Sequence, residues 1–133
     1  MLAVDTSVLL SIFKGETGGA AWLTCLQREA ASRQLVACAV VWAEVRAFFR
    51  DDASCRQALE ALGVQLFPDD ESTALLAGSI YRSYKSKGGT RTALVPDFLV
   101  AAHAATHATA LATTDRGYFR NYFPKLALIT SPS

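Results

Sequence analysis

Residues 1–13 read MLAVDTSVLLSIF, an apolar run with Asp5, Thr6 and Ser7 set into it. An unpaired carboxylate is costly in the core such a run seeks. LAVD (2–5) reads as a short buried strand, and SVLLSIFK (7–14) as a helix beginning just after it. The acid then falls at the strand's C-terminal end, beside the strand-to-helix turn.

The same unit recurs along the chain. The glycines at 15, 18 and 19 break the first helix, and GAAWLTCLQREAAS carries apolar residues at helical spacing (Ala21, Trp22, Cys25, Leu26). QLVACAV (34–40) reads as a second strand. VWAEVRAFFR and SCRQALEALG read as helices, the latter ending at Gly63. VQLFP is a third strand, stopped by Pro68. DDESTALLAGSIYRSYKSK is a long helix with acids in its first turn and bases in its last, as the helix dipole favours. KGGTRTALVP is a loop, and PDFLVAAHAATHA a helix with Pro96 in its first turn. ALATTD, RGYFRNYF and LALIT follow as strand, short helix and strand. Short continuous apolar strands alternating with helices predict an α/β fold: a central parallel sheet of four to five strands, covered by helices on both faces. In such sheets the site lies outside the carboxyl ends of the strands.

The chain has 133 residues, 51% apolar and 19% charged, which fits one globular domain over residues 1–133. A net charge of +1 excludes a broadly basic nucleic-acid binder, so any such contact must be local. Three cysteines (Cys25, Cys38, Cys55), widely spaced and without CxxC, fit neither a disulfide framework nor a zinc knuckle. They read as buried thiols in a reducing compartment. The longest apolar run, LVACAVVWA (35–43), falls far short of the ~20 residues of a membrane helix. Asp5 interrupts the apolar core a secretory signal would need. A cytoplasmic protein with no membrane partner is expected.

Four acids sit inside hydrophobic elements rather than on polar faces. Asp5 and Asp115 end the first and fourth strands, Asp97 opens a helix, and Glu44 is flanked by VVWA and VRAFF. Each alone has an ordinary reading, as a helix-start acid, a strand-end turn residue or an arginine partner. Together they would repel one another, and a divalent cation removes that conflict. Hard oxygen ligands suit Mg²⁺ or Mn²⁺. Such an ion activates a water and holds a phosphate oxygen, so carboxylates without a nearby histidine point to phosphodiester hydrolysis.

The segments VDTSVLL, VVWAEVRA, PDFLVAAHA and LATTDRGYF, in this order and spacing, resemble the four signature segments of PIN-domain ribonucleases. Length and order are similar to the VapC-type toxins of toxin–antitoxin systems. The resemblance implies a Mg²⁺- or Mn²⁺-dependent endoribonuclease. Its catalytic and metal-holding residues would be Asp5, Glu44, Asp97 and Asp115, with Ser7 and Thr113 in support. It also implies an RNA substrate, a cognate antitoxin and a homodimer. Many relatives carry one more acid after the last segment. Here Gly117 follows, which weakens the case for a second permanent metal site. The alternatives are an RNA-processing PIN nuclease without antitoxin, or a non-catalytic RNA-binding or interaction module.

YRSYKSKGGTR supplies Arg82, Lys85, Lys87 and Arg91, interleaved with Tyr81 and Tyr84, and Arg116 follows Asp115. Bases and rings together suit single-stranded RNA, and a solvated helix end explains the first stretch equally well. His103 and His107 have the i, i+4 spacing of HExxH, but Ala104 replaces its glutamate, so they read as ordinary helix histidines. Ser7 stands where aspartyl-nucleophile phosphatases place a second Asp. The chain has no P-loop lysine after its glycines and no GxSxG.

Overall fold

The structure, a computed structural model, describes residues 1–90, 94–115 and 118–132, with the side chains of all but 118 and 120. Of the candidate residues, Arg91 and Arg116 lie outside the described residues. The elements run β1 (Leu2–Val4), α1 (Thr6–Phe13), α2 (Gly19–Ala30), β2 (Leu35–Ala37), α3 (Ala39–Phe48), α4 (Asp52–Leu62) and β3 (Val64–Leu66). They continue α5 (Glu71–Ser86), α6 (Val95–His107), β4 (Ala110–Ala112), α7 (Tyr118–Tyr122) and β5 (Leu128–Ile129).

The five strands form one parallel sheet in the order β3-β2-β1-β4-β5. Every residue of β1, β2 and β4 is buried, because helices cover the sheet, and this is why these strands read as unbroken apolar runs. The chain winds from β1 through β2 to β3 on one side, then returns to β4 and β5 on the other. The order therefore reverses between β1 and β4. At such a reversal the connections leave in opposite directions and open a crevice at the strands' carboxyl ends. Asp5 directly follows β1 and Thr113 directly follows β4, so both flank that crevice.

Local chemistry fixes the helix starts. Asp5, Asp51 and Asp70 cap α1, α4 and α5, accepting from the backbone N–H of Thr6, Ser54 and Thr73 at 2.9, 2.8 and 2.9 Å. Each such cap contributes about 1 kcal/mol. Gly63 closes α4 at φ 76°, a conformation that favours glycine. Two strand ends that bear on the site differ from the sequence reading. The fourth strand, expected over 110–115, ends at Ala112, so Asp115 lies three residues beyond it in the segment that follows. The strand expected over 34–40 ends at Ala37, and Ala39 and Val40 already belong to α3. Cys38, extended at ψ 173°, is the N-cap between them. An apolar run has no period to divide a buried strand from a buried helix.

α5 and α6 pack antiparallel. Asp70, before α5, meets His107 at the end of α6 with 2.8 Å between oxygen and nitrogen. Tyr81 and Tyr84, late in α5, each lie 5.9 Å from Phe98 at the start of α6, centroid to centroid. Phe98 is fully buried, as are Leu2, Leu35 and Leu111 of the sheet. Cys25, Cys38 and Cys55 are free and buried. Among the described residues no helix is long and apolar enough to cross a membrane.

Candidate active site

The site begins at Asp5, a buried side chain only 9% exposed. Its Oδ1 accepts from the Thr6 N–H at 2.9 Å. Its Oδ2 accepts from the Ser7 hydroxyl at 2.8 Å and the Thr113 hydroxyl at 2.7 Å. All three donors are neutral, and Asp5 enters no ion pair among the described residues. A carboxylate offers about four acceptor positions, so one remains on Oδ1. Among the described residues the charge is oriented but not compensated, and a nearby cation would be strongly favoured there.

Two threads tie neighbouring acids to this carboxylate. Thr6, which donates its backbone N–H to Asp5, donates its hydroxyl to Glu44 Oε1 at 2.7 Å. Thr113, which donates its hydroxyl to Asp5, accepts the Asp115 N–H on the same oxygen at 3.1 Å. Ser7 is likewise doubly engaged: its oxygen accepts the Thr114 N–H at 3.1 Å, stitching α1 to the segment after β4. Asp5, Glu44 and Asp115 thus share one hydrogen-bonded frame at the sheet's carboxyl edge. Asp97 lies in the first turn of α6, a helix that packs on α3 and β4.

Two features depart from the sequence reading. Glu44 is exposed rather than enclosed by its apolar flanks, because Val41 and Val45 take the buried face of α3 and turn Glu44 outward. Thr6, which the sequence reading passed over, joins two of the acids. Its only advance signal was a hydroxyl at the first helical position beside a strand-end acid.

The donor chemistry fits a hard, largely hydrated cation. Among the described residues no three His, Cys, Asp or Glu side chains gather to enclose a metal ion. Mg²⁺ requires no such cage, since it keeps several waters and takes one or two carboxylates directly. Asp5, Glu44 and Asp115 are joined by the hydrogen bonds above, and Asp97 is placed by the start of α6. A cavity of about 310 Å³ lies at the opposite end of β4, beside Ala108, Thr109 and Leu126.

The antiparallel α5–α6 pair carries Arg82, Lys85 and Lys87 to the end of α6 that holds Asp97. Lys85 lies 5.0 Å above the Tyr81 ring. Tyr81 and Tyr84 stack on each other at 6.2 Å and pack on Phe98, so they are half-buried structural rings. His103 is buried in the core, 5.5 Å from Phe67, and burial pushes its imidazole below the ordinary value. Burial also pushes the Cys38 thiol up to about 11, leaving it inert at neutral pH.

The PIN domain family model matches residues 2–124. No curated protein sequence matches the chain. Among solved structures, VapBC2 from Rickettsia felis bound to a promoter DNA fragment is similar at TM-score 0.71, with 18% identity and 96% of each chain covered. VapBC-1 from nontypeable Haemophilus influenzae gives 0.72 at 18% identity, again over 96% of each chain. FitAcB from Neisseria gonorrhoeae gives 0.66 at 23% identity, over 99% of this chain and 98% of that one. At these identities the likeness is one of fold.

Proposed function

The chain belongs to the PIN domain family, and from that premise we propose that it is a Mg²⁺- or Mn²⁺-dependent endoribonuclease, the toxin of a toxin–antitoxin pair. The observation that carries the reading is the Asp5 carboxylate. It is buried at the crevice, held by three neutral donors, and joined through Thr6 to Glu44 and through Thr113 to the Asp115 backbone. A site built to bind an anion would present donors there; this one presents oriented negative charge.

Asp5 and Asp97 are the most direct ligands in this reading, with Asp115 and Glu44 completing the shell directly or through waters. The bound cation supplies charge that lowers the proton affinity of a coordinated water and offsets negative charge developing at the phosphate. Ser7, Thr113 and Thr6 keep the carboxylates in one orientation, so little reorganisation accompanies the reaction. Glu44, accessible and hydrogen-bonded on one oxygen, has its other oxygen available to accept a proton from a water. Arg82, Lys85 and Lys87 contact the RNA backbone beside Asp97 in this reading.

The toxin assignment is supported by the likeness to a toxin–antitoxin complex from Klebsiella pneumoniae, at TM-score 0.70 and 19% identity over 100% of this chain and 98% of that one. A cognate antitoxin, a cytoplasmic location and a homodimer belong to the same reading. Leu75 of α5, 65% exposed, and Leu66 of the edge strand β3, 49% exposed, offer apolar surface for a second copy. The whole chain acts as a single domain.

The deciding experiment is cleavage of RNA with Mg²⁺ or Mn²⁺, wild type beside Asp97→Asn. Cleavage by the wild type and a loss of several orders of magnitude in the variant is expected. Equal activity in both proteins sinks the reading.

A further inference from the structure

Helices α1 and α3 lie side by side in the same direction, touching at two levels. At the first, Thr6 donates to Glu44. At the second, Phe13 meets Phe49 edge-on, with ring centroids 5.2 Å apart and planes at 71°. Phe49 in turn meets Phe48 edge-on at 5.2 Å and 82°. Phe48 is 44% exposed, the most solvent-accessible aromatic among the large exposed hydrophobic residues. It follows Glu44 by one helical turn, so the two share a face with their Cβ atoms about 6 Å apart.

We propose that Phe48, braced by Phe49 and Phe13, is a stacking platform for an unpaired RNA base next to the scissile phosphate. This deepens the nuclease reading and rests on it. Three observations favour a base over other occupants. The ring meets Phe49 in a T-shaped contact and is still 44% exposed, which leaves aromatic surface for a base. It is continuous with the acid site through the shared face with Glu44. The chain neighbours are cationic: Lys14 follows Phe13 and is exposed, and Arg50 follows Phe49 with 88% side-chain exposure. Aromatic rings flanked by exposed cations suit a single strand, whose bases stack while its phosphates meet the charges. Lys14 enters no ion pair among the described residues, and Arg50 reaches only Asp51, at 3.5 Å.

The test compares Phe48→Ala, Phe48→Leu and Phe48→Tyr with the wild type. Binding of a short unstructured RNA is measured without divalent metal, and cleavage with Mn²⁺. Phe48 is exposed, so all variants should melt with the wild type. Phe48→Ala and Phe48→Leu should weaken binding and raise KM by roughly 5- to 150-fold, the range for losing one stacked base, with a smaller effect on kcat. Phe48→Tyr should behave as the wild type. If Phe48→Leu binds RNA fully, apolar area and not the π face is what matters, and the platform is overturned. It is equally overturned if RNA binding survives in every variant while association with an antitoxin or a second copy is lost. Wild-type cleavage with unchanged KM in Phe48→Ala rejects the platform and leaves the nuclease standing. A wild type that neither binds nor cleaves RNA rejects both.

Discussion

The Thr113 hydroxyl donates to Asp5 Oδ2 at 2.7 Å, joining residues 108 positions apart across the reversal between β1 and β4. Thr113 is fully buried, so this contact is part of the core as well as of the site. Thr113→Val keeps the shape but removes a donor from a buried carboxylate and an acceptor from the Asp115 N–H. The expected cost is about 1–3 kcal/mol in chemical denaturation, together with a marked loss of nuclease activity. Undiminished stability would mean that Ser7 alone satisfies the oxygen.

Thr6 presents the opposite balance. It is half-buried and its partner Glu44 is exposed. Thr6→Val should therefore change stability by less than about 0.5 kcal/mol. Releasing Glu44 from its fixed orientation should still lower kcat by on the order of 10-fold. Thr6→Ser restores the hydroxyl and should restore the rate. Failure of that rescue would assign the loss to something other than the hydrogen bond to Glu44.

The contrast between Thr113 and Thr6 shows what the sequence could and could not reveal. Asp5 was legible because a buried strand followed at once by a helix places its junction residue at the sheet edge. Thr113 was legible only through the resemblance to PIN-domain ribonucleases, which implies a hydroxyl two residues before the last acid. Thr6 was not, because its role depends on α3 lying beside α1, a relation no local pattern encodes. The outward turn of Glu44 was hidden for the same reason: apolar neighbours in the chain are not neighbours in space, and it is Val41 and Val45 that are fully buried on the inner face. The β2–α3 boundary was lost inside an apolar run, where Cys38 caps the helix through its backbone conformation without a side-chain hydrogen bond. Tyr81 and Tyr84 looked equally suited to RNA and to structure until their packing on Phe98 was seen.

Divalent ions should stabilise the folded chain if Asp5 helps hold them. At Mn²⁺ a hundredfold above its dissociation constant the gain is about 2.7 kcal/mol, visible as a raised melting temperature that EDTA reverses. Asp5→Asn removes the uncompensated charge and should abolish the shift. An identical shift in the variant would place the ion elsewhere.

Two glycines should respond oppositely to alanine. A Cβ on Gly19, at the start of α2, would lie 2.4 Å from the Ser11 carbonyl oxygen of α1. Backbone must move to admit it, at about 1–3 kcal/mol. Gly78, exposed in the interior of α5, would place its Cβ in open space, with no atom of the described residues outside its chain neighbours and its own helix backbone within 4 Å. Gly78→Ala should stabilise by about 0.5–1 kcal/mol, because glycine is a poor helix former. Denaturation curves of the two variants, opposite in sign, check the close approach of α1 and α2.

His103 should make stability depend on pH in the mildly acidic range. Its ring is 1% exposed, and burial, the chief cause, lowers its proton affinity from the ordinary value of 6.5. Nearby His107 lowers it further, while Asp69, Asp70 and a hydrogen bond with the Phe67 backbone pull the other way. The unfolded chain takes up a proton near the ordinary value; the folded chain resists it to lower pH. Below that value the unfolded state therefore binds more protons, and stability falls as the solution is acidified. Above it both states are neutral and the dependence vanishes. The stability is thus present at neutral pH and is lost as pH falls towards the depressed folded value. His103→Leu, which removes the titrating ring from an apolar setting, should flatten the slope of unfolding free energy between about pH 7.5 and about pH 5.5. An unchanged slope would assign the acid sensitivity to a group other than His103.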